Sequence, residues 1–176
     1  MAKREALREL QSRLAERMQA ARAQPAAQAW LAVESRGRGL LFPLAQAGEI
    51  FALAPLLPVP HAQPWFCGAA NLRGGVWGVV DLGAFLGLGG EPNAAVGEAR
   101  LVALNPQLGL NCALRIDRLL GLRSAEQLTP DRTTDDNDAP RPAFAGERWC
   151  DAQGRRWQEL LLAALADDET FLAIAR

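Results

Sequence analysis

The side chains that could support covalent or metal chemistry are few, and they are widely spaced along the chain. The sequence holds one histidine, His61, and three cysteines, Cys67, Cys112 and Cys150. A nucleophilic thiol would need His61 beside Cys67 or a distant cysteine, whereas a free cysteine more often behaves as a small buried hydrophobe. A zinc site built from all four residues is disfavoured, because no pair has the short ligand spacing of such sites. We therefore expect no metal ion, no cofactor and no catalytic thiol.

Carboxylates and glycine-rich stretches offer the remaining routes to catalysis or nucleotide binding. Asp81 and Asp117 would form an acid–base pair only if the fold made them face each other across a cleft. The glycines of residues 87–90 are followed by Glu91 and Pro92, which breaks the spacing of a dinucleotide-binding loop, and the sequence has no Gly-Lys-Ser/Thr phosphate loop. A small enzyme that uses the two aspartates stays open as an alternative, but the sequence favours a protein without catalytic activity.

Length, charge and hydropathy narrow the class of protein. The chain has 176 residues and a formal net charge of -1, so it can bury a core without metal or disulfide support and has no charge excess that would favour nucleic acid. No apolar run reaches the roughly 18 residues that span a bilayer. The dispersed, odd-numbered cysteines argue against a disulfide framework, and the start of the chain resembles neither a signal nor a transit peptide. We expect a cytoplasmic protein that neither binds nucleic acid nor inserts into a membrane.

The most informative segment is residues 71–82, which the sequence predicts to be a turn, a strand buried on both faces and a capped helix start. The strand at 76–80 has no polar face, so it must be covered on both sides or paired with a partner. Asp81 can cap the following helix by accepting from its free N–H groups. Arg73 is the only long charged side chain nearby, and Gly74 lets the backbone turn sharply beside it. A planar bidentate donor on a glycine turn is poorly explained by packing, so we expect Arg73 to contact a partner.

The rest of the chain divides into a helical start and a region of short strands. Residues 1–24 have an apolar stripe at helical spacing, which predicts an amphipathic helix that packs either on its own domain or on a partner. Residues 25–29 form a linker. In residues 30–176, short apolar runs alternate with turns that contain glycine or proline, and the polar residues 35–39 between two such runs predict a hairpin. Strands at this spacing indicate barrels and not a parallel sheet.

Four motifs within residues 58–121 point to a known family. They are Pro58-Val59-Pro60 with Pro64-Trp65-Phe66-Cys67-Gly68, then Asn71-Leu72-Arg73-Gly74, Val80-Asp81-Leu82 and Asp117-Arg118-Leu119-Leu120-Gly121. Together they resemble the CheW-like adaptor family of bacterial chemosensory arrays, in which the fourth motif ends a strand. Residues 58–60, 64–65 and 144–149 look most like the adaptors of the chemotaxis-like system that governs type IV pili and twitching motility. Gly78 departs from the family pattern, since many members have proline there.

The resemblance implies a mainly β fold, in which two five-stranded SH3-like barrels share a hydrophobic seam. It also implies a non-catalytic adaptor that couples a methyl-accepting chemoreceptor to a CheA-like histidine kinase. The regulatory domain of the kinase would dock on one barrel, and the cytoplasmic tip of the receptor would lie in a groove between the barrels. The expected partner-binding residues are Pro60, Trp65, Asn71, Arg73 and Gly74.

The same motifs contain the residues Asp81, Asp117 and Gly121, to which we assign a structural role. Asp81 fits a helix cap and Asp117 a turn, and Trp65 fits a core position as well as an interface. Three alternatives to the pilus-system adaptor stay open at this point. They are an adaptor of another chemosensory pathway, the small enzyme considered above and a β-barrel protein that only assembles with itself.

Overall fold

The computed structural model describes residues 28–92, 95, 97–133 and 141–176, and in this part the chain is mainly β-sheet. The strands are β1 (Ala29–Ser35), β2 (Arg38–Pro43), β3 (Ala47–Ala52), β4 (Phe66–Leu72), β5 (Gly75–Asp81), β6 (Arg100–Leu104), β7 (Cys112–Ile116), β8 (Arg118–Ser124), β9 (Leu128–Pro130), β10 (Ala145–Asp151) and β11 (Arg156–Leu160). The short α-helices are α1 (Leu82–Phe85), α2 (Leu162–Ala166) and α3 (Glu169–Leu172).

Two sequence predictions concern the start of the chain, namely the amphipathic helix at residues 1–24 and the linker at residues 25–29. The amphipathic helix predicted at residues 1–24, together with residues 25–27 of the linker, lies outside the described residues. Strand β1 begins at Ala29, the last residue of the predicted linker. In the described part of the chain, no helix is long and apolar enough to cross a membrane.

One sheet contains six strands in the order β8-β1-β2-β11-β10-β9. Its neighbouring strands are antiparallel except β2 and β11, which are parallel. Strands β8 and β9 are at opposite edges, yet only the short 3-10 turn Ala125–Gln127 separates them along the chain. The sheet must therefore curl until its edges approach each other, as in a barrel. Leu120 of β8 and Leu128 of β9 accordingly pack in one cluster with Trp30.

The second sheet contains five strands in the order β3-β6-β7-β5-β4, and only β5 and β7 are parallel. Its edges also meet, because Phe51 of β3 packs with Ala70 and Leu72 of β4 in one apolar cluster. The predicted mainly β fold with two barrel-like units is confirmed. One unit has six strands and not five, because the chain bends at Ala125–Gln127 and one continuous segment supplies both β8 and β9.

Apolar side chains from both sheets form the largest core cluster, which we call the seam. The six-stranded sheet contributes Val33 and Phe42, the five-stranded sheet contributes Val80 and Leu114, and α2 adds Leu165. Each fully buried side chain of this size contributes roughly 1.5–3 kcal/mol of transfer free energy. Since a cluster of this extent lies between the sheets, the two units fold against each other, and the hydrophobic seam implied by the resemblance is present.

Candidate partner-binding surface

The turn predicted at Arg73 is the tip of the β4–β5 hairpin. Leu72 pairs with Gly75, which leaves Arg73 and Gly74 as a two-residue loop. Both residues have positive φ, 49° and 83°, which is the type I′ pattern that suits the twist of a tight hairpin. The side-chain oxygen of Asn71 accepts a hydrogen bond from the Gly74 N–H at 2.9 Å. Asn71 and Gly74 therefore shape the turn that presents Arg73.

Arg73 forms an ion pair with Glu49, a residue that the sequence did not single out. Its Nη2 lies 2.6 Å from Oε1 of Glu49 on β3, at the opposite edge of the five-stranded sheet. The two side chains are 76% and 40% exposed. An ion pair this open to water contributes about 0–1 kcal/mol to stability, so the fold does not depend on it. No local signal marks Glu49, since only closure of the barrel brings it to Arg73.

The face of β5 that carries Val80 is covered only at the end that leads into α1, whereas Trp77 on the other face is partly buried against the cluster inside the five-stranded sheet. Val79 is buried inside the five-stranded sheet and Val80 is buried in the seam. Val76 points to the same face as Val80 by strand alternation, yet it is 71% exposed. The predicted burial of both faces is therefore wrong for the end of β5 beside Arg73, because the seam does not reach it. An apolar side chain is left open next to the Arg73–Glu49 pair.

A second exposed apolar region lies along the outer edge of β4. Leu57 exchanges both backbone hydrogen bonds with Ala69, at 2.7 and 2.9 Å. Gly68 permits this approach, because a Cβ there would collide with the Leu57 carbonyl oxygen. The bridge is antiparallel, so the chain from Leu57 to Pro60 continues away from the Arg73 end of β4. Pro60 is exposed, and the Leu57 side chain is 71% exposed.

Trp65 packs in the seam and does not lie near Arg73. Its ring meets Phe85 edge-on at 5.2 Å between centroids and is parallel to Phe171 at 6.2 Å. Trp65 precedes β4 and Arg73 follows it, so the seven-residue strand separates them by about 23 Å. The structure therefore brings Asn71, Arg73 and Gly74 together but places Trp65 and Pro60 elsewhere. Of its two interpretations, the core position describes Trp65 better.

The carboxylates of Asp81 and Asp117 are held by partners at the junction of the two sheets. Asp81 caps α1, because its Oδ1 accepts from the Ala84 N–H at 2.9 Å. Its Oδ2 lies 3.4 Å from Nη2 of Arg36 and 3.7 Å from Nη1 of Arg115. Asp117 is 4% exposed and accepts from the backbone N–H of Arg36 at 2.7 Å. The cap on α1 is as predicted, and these partners argue against an acid–base pair.

Gly121 lies inside β8, whereas the motif predicted that it ends a strand. It pairs with Ala32 of β1 at a shift in the register of the ladder, and its φ is 89°. Glycine adopts this left-handed conformation without steric cost, which suits it to a strand irregularity of this kind. The assignment of Gly121 to a structural motif is consistent with this position, but the predicted end of the strand is wrong.

Of the three cysteines, Cys112 is buried in the seam, whereas Cys67 and Cys150 are half-buried. All three are free, and within the described residues no group of three His, Cys, Asp or Glu side chains could hold a metal ion. Burial raises the pKa of the Cys112 thiol to about 12. Burial, followed by the nearby Asp81 carboxylate, also raises the pKa of Cys67. Thiols that stay protonated are weak nucleophiles, so Cys112 fits the interpretation as a buried hydrophobe, and Cys67 packs at the side of an apolar cluster.

Comparisons with known proteins agree with this architecture. The model of the CheW-like domain family matches residues 29–169. The chain is 29% identical to protein PilI of Pseudomonas aeruginosa over 115 residues, which are 61% of this chain and 63% of that protein, so it spans less than two thirds of this relative. Among solved structures, the scaffolding protein TtCheW from Thermoanaerobacter tengcongensis is similar with a TM-score of 0.60 and 15% identity, over 76% of this chain and 88% of that chain. The likeness to TtCheW shows a shared fold.

Proposed function

Because the chain belongs to the CheW-like domain family, we propose that it is a non-catalytic, cytoplasmic adaptor that couples a methyl-accepting chemoreceptor to a CheA-like histidine kinase. The similarity to PilI supports a role in the control of type IV pilus twitching motility. An adaptor of another chemosensory pathway is the second candidate, and it shares the same contacts with kinase and receptor. Neither role requires a cofactor.

The observation that carries the proposal is the exposed tip of the β4–β5 hairpin. There a charged pair, Arg73 and Glu49, lies beside Val76, whose side chain is 71% exposed. The charges contribute little to folding in this exposed position, and an exposed valine contributes less to the core than a buried one. A guanidinium group on a rigid turn, together with a carboxylate and an exposed apolar side chain from the adjoining strands, can be recognised by a protein partner.

The exposed segment from Leu57 to Pro60 supplies a second apolar surface on the same barrel. It follows the outer edge of β4, and the Leu57–Ala69 bridge holds its start in place. We assign this segment to a separate contact, because it runs away from the hairpin tip. Two distinct surfaces suit an adaptor that binds a kinase and a receptor at the same time.

Reversing the charge at the hairpin tip tests the proposal. We expect Arg73→Glu to weaken binding to the kinase regulatory domain or to the receptor tip by about 1 kcal/mol or more, roughly fivefold in Kd, because a charge-assisted hydrogen bond is lost. Titration calorimetry with each purified partner measures this. Arg38→Glu, an equal charge change at the start of β2 on the other barrel, is the matched control and should leave both affinities unchanged.

The exchange variant Arg73→Glu/Glu49→Arg separates a direct contact from an indirect one. It restores an ion pair across the barrel edges but places each charge on the wrong side for a partner. If Arg73 contacts the partner directly, the exchange variant binds as weakly as Arg73→Glu. Recovery of full affinity would mean that the ion pair acts only within the domain. Unchanged affinity of Arg73→Glu for both partners would contradict the proposed role of the tip.

A further inference from the structure

Residues 173–176, which follow α3 and which we call the strap, pair with the chain just before β4. Ala175 of the strap forms an antiparallel bridge with Ala62. The backbone N–H of Arg176 donates to the carbonyl oxygen of His61 at 2.8 Å. The strap therefore joins the segment that leads from Leu57 towards β4, at the end of that segment opposite to the Leu57–Ala69 bridge.

Gln63 makes the remaining contacts of this pairing. Its backbone N–H donates to the carbonyl oxygen of Ile174 at 2.8 Å, and its side-chain Nε2 donates to the carbonyl oxygen of Ala175 at 3.3 Å. Its own carbonyl oxygen accepts from the backbone N–H of Phe66, the first residue of β4, at 2.9 Å. The hydrogen bonds thus continue from the strap into the start of the strand.

The strap begins at a residue that is fixed in the core. Helix α3 is capped by Asp168, whose side chain accepts from the backbone N–H of Phe171 at 2.9 Å. Phe171 is 3% exposed and belongs to the seam, where its ring lies parallel to Trp65 and edge-on to Phe85. The strap therefore runs from the seam to the surface segment that it holds.

Residues 58–61 lie between two bridges, the one at Leu57 and the one at Ala62. Two of them are prolines, whose rings fix φ. His61 has a φ of 58°, a left-handed conformation that a residue with a Cβ keeps only when its surroundings hold it. The hydrogen bond that its carbonyl oxygen accepts from the strap is such a restraint. A segment that is stiffened by prolines and pinned at both ends has few conformations open to it.

This segment contains the second apolar surface of the proposed adaptor, with Leu57 and Val59 71% and 43% exposed. We infer that the strap keeps this surface in the conformation that its protein partner binds. Order imposed before binding lowers the entropy cost of association. The Kd for a partner rises in proportion as the binding-competent fraction falls. The inference rests on the proposed function, because it assigns a positioning role to residues that support the second surface.

The variant Arg176→Pro releases the strap with little other change. It removes the N–H that donates to His61, and Ala175 before it is already paired in the extended manner that a following proline requires. Arg176→Ala keeps the N–H and is the matched control. We expect amide exchange of Gln63, followed by NMR on the full chain, to be about tenfold faster or more in Arg176→Pro and unchanged in Arg176→Ala. Unchanged exchange in Arg176→Pro would mean that the strap does not hold the segment.

Calorimetry with the purified kinase regulatory domain and the receptor tip tests the effect on binding. Val59→Asp identifies the partner that contacts the segment, because it places a charge on the exposed apolar surface. For that partner we expect Arg176→Pro to raise the Kd about threefold or more, and Arg176→Ala to leave it unchanged. Urea unfolding of each variant checks that the core is intact.

A disulfide across the bridge provides a rescue that a general loss of stability would not show. Ala62 and Ala175 are a non-hydrogen-bonded antiparallel pair, in which the Cα atoms are about 4.5 Å apart and within reach of a disulfide. We expect Ala62→Cys with Ala175→Cys, added to Arg176→Pro and oxidised, to restore the native Kd. The reduced form of the same protein should bind as weakly as Arg176→Pro.

The outcomes distinguish this inference from the proposal on which it rests. If Val59→Asp weakens binding but Arg176→Pro binds as the native protein does, the second surface stands and the role of the strap is overturned. The same holds if the oxidised disulfide forms but does not restore the Kd, or if Arg176→Ala loses as much affinity as Arg176→Pro. Native affinity of Val59→Asp for both partners would remove the second surface of the adaptor and, with it, the binding role of the strap.

Discussion

Two hairpins of this molecule have the same two-residue turn, Arg-Gly, but the two arginine side chains differ in how far they are buried. Arg36 and Gly37 join β1 to β2, whereas Arg73 and Gly74 join β4 to β5. The φ angles are nearly equal, 47° and 75° in the first turn and 49° and 83° in the second. The Arg36 side chain is 17% exposed, whereas that of Arg73 is 76% exposed. The same local sequence and backbone therefore place the two arginines in very different surroundings.

The difference lies in what surrounds each tip. Arg36 reaches from the six-stranded sheet to the segment after α1, where its Nη1 donates to the carbonyl oxygens of Leu88 and Gly90 at 3.0 and 2.9 Å. Its Nη2 lies 3.4 Å from Asp81, and its stem packs against Gly83, where any Cβ would lie only 2.7 Å away. Arg36 thus links the two barrels.

The surroundings of Arg73 are far more open. Its side chain forms the exposed pair with Glu49. Arg36 makes several contacts within the fold and so stabilises it. Arg73 is positioned by the turn, but its side chain stays open to solvent and could contact a partner. The comparison thus assigns stability to the first tip and supports the binding role that we propose for the second.

Arg36→Met should have the largest effect on stability. Methionine keeps part of the apolar stem but removes the guanidinium, which leaves two carbonyl oxygens and the Asp81 carboxylate without this donor. We expect the free energy of unfolding to fall by about 2–4 kcal/mol, measured by urea denaturation. A loss below about 1 kcal/mol would mean that water replaces the guanidinium without cost and that Arg36 does not link the barrels.

The variant Asp81→Asn refines this test, because asparagine still caps a helix but carries no charge. If Arg36 and Asp81 act together, the double variant loses less stability than the sum of the two single variants. Simple additivity would assign the effect of Arg36 to its hydrogen bonds with Leu88 and Gly90 alone.

The sequence predicts both turns but not the difference between them. Glycine beside a polar residue between two apolar runs is a local signal, and so is an aspartate before a short helix, which is why the hairpin at Arg36 and the cap by Asp81 are predictable. The contacts of Arg36 with Leu88 and of Arg73 with Glu49 join distant parts of the chain. Periodicity and turn chemistry contain no information about such pairs.

The strands that apolar alternation does not predict show the same limit. Strand β4 contains Gly68 and Asn71, and β8 contains Gly121, and these residue types interrupt the apolar alternation by which strands are recognised. Two of them are explained by a tertiary contact, a close approach of Leu57 at Gly68 and a register shift at Gly121. The sequence predicts a candidate site at Arg73 but assigns its exposed neighbour Val76 to the core.

Substituting the turn glycines should give equal effects of intermediate size. Both Gly37 and Gly74 have positive φ, and a Cβ added at either would meet no heavy atom of the described residues within 4 Å, apart from its neighbours in the chain. Alanine therefore meets only the backbone strain of the left-handed conformation. We expect Gly37→Ala and Gly74→Ala each to lower the free energy of unfolding by about 1 kcal/mol. A clear inequality between them in parallel urea titrations would show that the two turns differ in backbone as well as in surroundings.

Arg73→Met should have the smallest effect on stability, and it completes the matched pair with Arg36→Met. It removes one exposed ion pair with Glu49 and leaves the turn unchanged, because Asn71 and Gly74 make the hydrogen bond that shapes it. We expect the free energy of unfolding to change by no more than about 0.5 kcal/mol. The same urea titration measures it, with added salt as a control that screens the ion pair in the native protein. A loss near that of Arg36→Met would mean that Arg73 is a fold-stabilising residue after all, and the assignment of the hairpin tip to partner binding would lose its physical basis.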